Sequence, residues 1–450
     1  MSVSFTSFQG EGNVTGSKHF LKIDGWYYGI DYGMWQGSQE LELKNVNYKC
    51  PVPIDRLKHV LLTHAHADHC GLLPILVREG FQGNIYCTSA TRDLANVVLM
   101  DSVKVSGQFT EAEVIDTMDH FRTHSYGKTK NLSDKLSYTA YNAGHILGSA
   151  FMSIDIEADG EKRNILFTGD IGRQNGPIVN EPDTNVPAPD YIVMESTYGN
   201  RLHEDLDYSL DEVARAITET IERGGKVLIP SFAIERAQEI IYHLKVLMMK
   251  NKIPKIPVFL DSPMATTATG VFQIHQECFN HVIKDRFVTK GKNPFSVSSL
   301  HIVKDNQESV KLAKSRKPCI VIAGNGMCTA GRILNHLFYG LANPKNAVLL
   351  VGYSSENSLA RQLADGAEYV LLHDKEVFVE ADVLSTGAFS AHADYNEMVN
   401  WLKAIDTSKL RKIFLVHGAQ DSLEFFQKHL KENGFENVEI VVEGKENILE

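Results

Sequence analysis

An α/β fold built on mostly parallel sheet is predicted by three features of this 450-residue chain. Short apolar runs of strand length recur along it, amphipathic stretches of helix length alternate with them, and the runs tend to end at glycine. The first runs, Val3–Phe8, His19–Ile23 and Tyr27–Ile30, are strands separated by glycine-rich turns. His59–Leu62 is a strand followed by a helix over Leu72–Glu79, and Asn164–Phe167 and Tyr191–Met194 are further strands. A second βα series follows. It comprises strand Lys226–Ile229 with helix Ile234–Met249, strands Ile256–Leu260 and Pro318–Ile322, and strand Ala347–Val351 with helix Ser358–Asp365. Strand Lys412–Val416, helix Leu423–Lys431 and strand Val438–Val442 end the pattern. Such alternation places helices on both faces of the sheet.

Composition bounds the function. At about 150 residues per domain the length predicts two or three domains. Hydrophobic residues at 43% and charged residues at 22% are ordinary for a globular protein and argue against disorder. A net charge of −11 excludes a surface that is basic throughout, but not a local basic groove. No apolar run approaches the ~20 residues of a membrane helix, and Met1–Gly10 lacks the basic and apolar regions of a secretory signal. The six cysteines form no CxxC pair, which fits reduced thiols in a cytoplasmic protein with no membrane partner.

The densest chemical signal is Thr63-His64-Ala65-His66-Ala67-Asp68-His69-Cys70-Gly71, directly after an apolar strand. Three imidazoles and a carboxylate this close would crowd and repel without a shared partner, and a divalent cation resolves that crowding. The donor types suit zinc or a similar first-row ion. Further candidates stand in the same setting of strand end and glycine: His145 in Ala143-Gly144-His145, Asp170 in Thr168-Gly169-Asp170, and His417 in Val416-His417-Gly418. Cys70 is expected to be a small buried thiol rather than a ligand.

HxHxDH, then GH, then GD, resembles the metallo-β-lactamase superfamily. The resemblance implies an αββα sandwich with a dinuclear zinc site at one edge, with Mn(2+) as the alternative metal. By it, His64, His66 and His145 hold one ion, Asp68, His69 and His417 hold the second, and Asp170 bridges them. Asp31, in Gly29-Ile30-Asp31, matches the superfamily's first motif and orients the ligand loop without binding metal. The HxH at the start of the ligand motif, in place of the HxE of the di-iron branch, favours hydrolysis over redox chemistry. Such a pair would attract an anionic phosphodiester and lower the pKa of water.

The 247 residues from Asp170 to His417 exceed what a simple member needs, and imply an inserted domain. Three more motifs place it: Met194-Glu195-Ser196-Thr197-Tyr198-Gly199, Gly324-Asn325-Gly326-Met327-Cys328-Thr329-Ala330-Gly331-Arg332, and Phe389-Ser390-Ala391-His392-Ala393-Asp394. Together they resemble the β-CASP nucleases, which include the pre-mRNA 3′-end-processing endonuclease of eukaryotes and its bacterial and archaeal relatives. The resemblance implies a metallo-β-lactamase domain over 1–202 and 387–450, and a β-CASP domain over 203–386. It implies a zinc-dependent ribonuclease, endonuclease and/or 5′ exonuclease, that takes single-stranded RNA into a cleft between the two. His at the position of His417 marks the family's RNA-directed members. Glu195 and His392 match family positions too: His392 would donate a proton to the leaving oxygen, Glu195 would hold its ring, and Asp68 is a secondary candidate base.

Substrate contacts are drawn from Arg236, Ser262, Arg332, Ser358 and Arg361. Arg236 stands where a strand opens into a helix, Ser262 at another such turn, and the other three at family positions lining the cleft. Asn357 stands where the family usually has glycine. Lys311, Lys314, Arg316 and Lys317 are a solvated helix end that could also guide RNA. A homodimer is compatible with the family, although no residue pattern marks an interface. The rival functions are a hydrolase of the same superfamily acting on DNA or a small ester, and a non-catalytic RNA scaffold. The complete ligand set disfavours the scaffold.

Overall fold

The computed structural model describes residues 3–9, 12–158, 160–352 and 358–450, with the side chain of residue 39 excepted. Asn357 lies outside the described residues. The chain forms two compact units, Met1–Leu202 with His392–Glu450, and His203–Ala391. Among the described residues no helix is long and apolar enough to cross a membrane.

The first unit holds two seven-stranded mixed sheets. One runs in the order Asn447–Ile448, Val3–Ser7, His19–Ile23, Trp26–Ile30, Leu57–Leu61, Asn84–Cys87, Phe121–Thr123. The other runs Val438–Ile440, Lys412–Leu415, Tyr191–Met194, Glu161–Phe167, Ala150–Ala158, Leu136–Asn142, Thr129–Ser133. Each sheet is parallel at one end and antiparallel at the other.

Period-two alternation explains the layering. Along Ala150–Ala158, Met152, Ile154, Ile156 and Ala158 join Phe5, Leu21, Ile30, Phe167 and Phe414 in one core shared by the two sheets. Phe151 points the other way, into a second core with Trp401, Leu402, Phe426 and Leu430 of the helices Tyr395–Ala404 and Gln420–Glu432. In the first sheet, the parallel steps from Leu57–Leu61 to Asn84–Cys87 to Phe121–Thr123 need crossovers, supplied by the helices Leu73–Arg78, Ser89–Ser106 and Glu111–Asp119. The inner face is already filled, so these helices cover the outer one.

The second unit carries an all-parallel six-stranded sheet, ordered Leu300–Ile302, Val258–Asp261, Ile320–Ala323, Val227–Pro230, Ala347–Val351, Asp382–Thr386. Its central strands are buried along their whole length, as parallel strands covered on both faces must be. Observed elements differ from the sequence pattern by a few residues: the helix expected from Ile234 begins at Arg236, and that expected from Leu423 begins at Gln420.

Candidate active site

Every candidate metal ligand follows a strand of the first unit. Leu57–Leu61 ends two residues before Thr63, and the chain then makes the one-turn helix Ala67–Cys70 that presents Asp68 and His69. Leu136–Asn142, Glu161–Phe167 and Lys412–Leu415 end just before His145, Asp170 and His417. Such strand ends are where a sheet exposes backbone and loops can converge.

The seven side chains meet in two groups. His64, His66, His145 and Asp170 offer ligand atoms all within 4.8 Å of one another, and so do Asp68, His69 and His417. In the first group His66 Nδ1 stands 3.1 Å from His64 Nε2 and 3.3 Å from His145 Nε2, and Asp170 Oδ2 lies 3.5 Å from both of those Nε2 atoms. In the second, His69 Nε2 is 3.2 Å from His417 Nε2, which is 3.5 Å from Asp68 Oδ2. Asp170 Oδ1 reaches this group, 3.3 Å from His69 Nε2. Ligand atoms at 2.0–2.1 Å from a tetrahedral zinc stand about 3.4 Å apart. The edges above lie close to that spacing and the His69 Nε2–Asp68 Oδ2 edge, at 3.9 Å, is somewhat longer, so the residues present fit two zinc-sized cations that would share Asp170.

Proton positions strengthen the fit. Asp31 Oδ2 accepts from His69 Nδ1 at 2.7 Å and from the Thr63 hydroxyl at 2.8 Å, and Asp31 Oδ1 accepts from the Thr63 N–H. The Thr63 hydroxyl, having given its proton to Asp31, accepts from His64 Nδ1 at 3.1 Å. One carboxylate therefore fixes the tautomer of two histidines, directly and through Thr63, and turns both Nε2 lone pairs into the cluster. His417 Nδ1 is engaged by the Thr197 hydroxyl at 3.0 Å. Lone pairs facing one another across such gaps are satisfied by a cation.

Charge divides the two groups, with the imidazoles of the first pushed down and those of the second held up by their carboxylates. Burial pushes His64 and His145 well below the ordinary imidazole range, and His66 down to about 4. His69 is held well up despite burial, by Asp170, Asp31 and Asp68. Burial would raise Asp170, yet His417, His69 and His64 hold it well below the usual carboxylate range. Among the described residues, buried Asp170 Oδ1 has no hydrogen-bond partner, and His69 Nε2 stands 3.3 Å from it. Close backbone approach makes the layout specific to glycine at Gly33, where a Cβ would come within 1.6 Å of the Asp68 carbonyl oxygen. There the first-motif loop is laced to the ligand loop by Ser17 N–H to Asp68 O, Tyr32 N–H to His69 O and Met34 N–H to Ala67 O.

His392 stands beside the cluster. Its ring centroid is 4.5 Å from that of His145, and Gly172 forms a β-bridge with it. Its Nδ1 donates to both oxygens of Glu195, at 3.0 and 3.1 Å. Glu195 is itself fixed by the N–H groups of Ile171 and Thr197. Burial would lower His392, but Glu195, with Asp170 and Asp68, raises it to about 9. Tyr198 stacks on the ring at 6.1 Å and 12°. Thr63, Thr197 and Tyr198 are not singled out by the sequence pattern. Their roles come from position beside a ligand, a signal present in the sequence only as adjacency to His64 and to Glu195.

Cys70 is buried, its thiol pushed up by burial and directed at the Ala65 carbonyl, and it belongs to neither ligand group. The five substrate candidates lie in the second unit, each with a partner inside it. Arg236 is buried and paired with Glu239. Arg332 Nη1 is 2.8 Å from Asp261, and Arg361 Nε is 2.9 Å from Asp365. Ser262 and Ser358 are helix N-caps, accepting from the N–H groups of Ala265 and Arg361.

Comparison with known proteins follows this architecture. A metallo-β-lactamase superfamily domain matches residues 20–184, a Beta-Casp domain 237–363, and a Zn-dependent metallo-hydrolase RNA specificity domain 376–441. The chain is 36% identical to Ribonuclease TTHA0252 of Thermus thermophilus over 94% of its own length and 95% of the relative's. It is 35% identical to an RNase J-like protein of Methanocaldococcus jannaschii over 81% of this chain and 83% of that one. It is 32% identical to the transcription termination factor FttA of Methanothermobacter thermautotrophicus, of which it spans only 59%. A solved structure of a protein of unknown function from Enterococcus faecalis V583 shares the fold at a TM-score of 0.59 and 13% identity, covering 100% of both chains. The chain belongs to the β-CASP ribonuclease family of the metallo-β-lactamase superfamily.

Proposed function

We propose that the protein is a dinuclear zinc ribonuclease that hydrolyses single-stranded RNA, by endonucleolytic cleavage, from the 5′ end, or both. The observation that carries this is the coincidence, within one compact unit, of seven candidate ligand side chains in two groups whose ligand atoms lie within 4.8 Å of one another, and a His392–Glu195 pair at their margin. His64, His66 and His145 would hold one ion, Asp68, His69 and His417 the other, and Asp170 both. Zinc or manganese ions, when bound, lower the pKa of water and neutralise phosphodiester charge.

The chain's own residues supply the rest. Glu195 occupies His392 Nδ1, so the proton for the leaving oxygen sits on Nε2, and about 20% of this side chain is open to solvent. Asp68 is the more exposed of the two cluster carboxylates, at 15% against 2% for Asp170, and is the better placed to take a proton from the attacking water. RNA is favoured by the RNA specificity domain over 376–441 and by the names of two relatives. His64, His69, His145 and His417 are buried and only His66 is partly exposed, a depth that favours an unpaired strand over a stiff duplex. Six free cysteines support a cytoplasmic location.

The test is digestion of an RNA labelled at either end, beside DNA of the same sequence, with wild type and His392→Ala. The expected result is RNA cleavage that depends on added metal and is lost in the variant. DNA cut while RNA stays intact would overturn the substrate assignment. The position of the labelled products separates internal cleavage from 5′-directed trimming.

A further inference from the structure

A cavity of about 670 Å³ opens on the first unit, and none of the residues that line it belongs to the metal cluster. Its floor is the edge of the first sheet, from Tyr86 and Phe121, and its rim carries Ser89, Arg92, Arg122 and Lys130. Size alone admits a nucleotide-sized group. Three cations line it against one carboxylate, Asp93, which accepts from Arg92 at 3.3 Å. That sign opposes the chain as a whole, which carries −11. The stretch that forms one wall, residues 121–133, holds Arg122, Lys128 and Lys130 and no acidic residue.

The cation positions are built rather than random. Arg122 Nη1 donates to the carbonyls of Asp119 and Phe121 at 2.7 and 2.8 Å, which fixes its stem while leaving its other guanidinium donors. Lys130 lies in the strand Thr129–Ser133 and carries its ammonium 6.0 Å from the Tyr86 ring. Ser89 begins the helix Ser89–Ser106, one turn before Arg92. The same wall is tied to the loop that bears His145: Thr88 and Thr91 hydroxyls donate to Gly148 O at 2.7 and 2.8 Å, and Tyr126 OH donates to Ser149 O at 2.8 Å.

We propose that this cavity is an RNA exosite, which takes the phosphodiester backbone of the substrate strand at nucleotides outside the bond being cut. The inference rests on the ribonuclease reading for its ligand. Arg122, Arg92 and Lys130 meet phosphate oxygens, and Ser89 supplies a hydroxyl donor. The cavity raises affinity for long strands and takes no part in bond cleavage.

Two double variants test it, Arg122→Glu/Lys130→Glu and Ser89→Glu/Lys130→Glu. The second touches no internal hydrogen bond described above and keeps the test valid if loss of Arg122 disturbs folding. The probes are a fluorescent unstructured oligouridylate for binding and cleavage, and bis(p-nitrophenyl) phosphate for the metal centre alone. The expected result is a KM and a Kd for the oligouridylate raised about tenfold or more. The salt dependence of log Kd should become shallower by about 0.7 for each phosphate that the substitutions leave without a cation. The rate on bis(p-nitrophenyl) phosphate should stay at the wild-type value. Unchanged oligouridylate affinity and salt slope in a folded variant would overturn the exosite. Equal loss on both substrates would overturn it as well, by placing the effect in the metal centre. If the wild type hydrolyses the small diester but cuts no RNA, the ribonuclease reading fails, and oligouridylate binding by the variants still decides the exosite.

Discussion

His392 Nδ1 lies 3.0 Å and 3.1 Å from the two carboxylate oxygens of Glu195, 197 positions earlier in the chain. Two backbone donors, from Ile171 and Thr197, hold that carboxylate in place. The ring is thus oriented from one side and stacked by Tyr198 on its face. His392 belongs to neither group of candidate metal ligands, so its removal tests chemistry apart from metal binding. His392→Ala is expected to lower kcat about 10²-fold or more, the scale of a lost general acid, while metal content per chain stays that of the wild type. Glu195→Gln keeps a hydrogen-bonding side chain but removes the charge that raises His392. It should lower kcat less than His392→Ala and shift the alkaline limb of the kcat profile to lower pH. Metal analysis alongside kcat decides: loss of metal in His392→Ala would make the residue structural.

Asp31 governs the proton positions of two candidate ligands at once, His69 directly and His64 through Thr63. Asp31→Ala is therefore expected to weaken metal binding about 10- to 100-fold, the usual scale for an outer partner of a ligating histidine. Titration of the metal-free protein with zinc, followed by the rise in Tm, reads this directly. Thr63→Val, which removes the relay to His64 and the hydroxyl's bond to Asp31 but leaves the direct His69–Asp31 bond, should weaken one of the two binding steps more than the other. Equal effects on both steps would contradict the separate paths.

The candidate ligand set stands out in the sequence because HxHxDH concentrates four donors in six positions and the other motifs repeat one setting, a strand end beside glycine, and the structure brings these side chains together. Substrate contacts are less legible. Arg236, Arg332 and Arg361 have the right residue type, but type does not reveal that Glu239, Asp261 and Asp365 stand beside them in space. The antiparallel meander from Thr129 to Phe167 shows in the sequence pattern only through its last strand. The connection between its second and third strands, Leu136–Asn142 and Ala150–Ala158, is seven residues long and carries His145, so it gives no tight-hairpin signal. The strong βα alternation on either side masks it. Thr63, Thr197 and Tyr198 act through distances that no spacing encodes.

Gly33 tests the packing of the first-motif loop against the ligand loop. A Cβ there would come within 1.6 Å of the Asp68 carbonyl oxygen and 2.5 Å of the His69 N–H nitrogen, both backbone atoms that cannot swing aside. Gly33→Ala must push the two loops apart and break hydrogen bonds such as Gly33 N–H to Ser17 O. The expected outcome is loss of metal and of activity together, with a lower Tm. Gly270→Ala, inside the helix Pro263–Ile274, is the control, since its Cβ would meet nothing within 4 Å and its φ is not positive. A metal-loaded, active Gly33→Ala would show that the loops do not pack as described.

In the second unit, buried Asp261 accepts from Arg332 at 2.8 Å, Ser309 at 2.6 Å and His336 at 2.7 Å. Burial would raise its pKa, but the bonds from His336, Ser309 and Arg332 hold it below the usual carboxylate value. A pKa depressed in the folded state contributes stability that is present above the unfolded value of about 3.9 and is lost as pH falls through the folded value. Unfolding of this unit should therefore become easier in acid, below about pH 4. Asp261→Ala leaves Arg332 without its carboxylate and His336 and Ser309 without an acceptor. It should cost about 3 kcal/mol at neutral pH, the scale of a broken buried pair. The penalty should shrink in acid, where the wild type loses the same interaction. Denaturant unfolding of wild type and variant at pH 7 and at acid pH measures both. A difference between the two proteins that does not change with pH would show that the carboxylate's charge is not what Arg332, Ser309 and His336 hold in place.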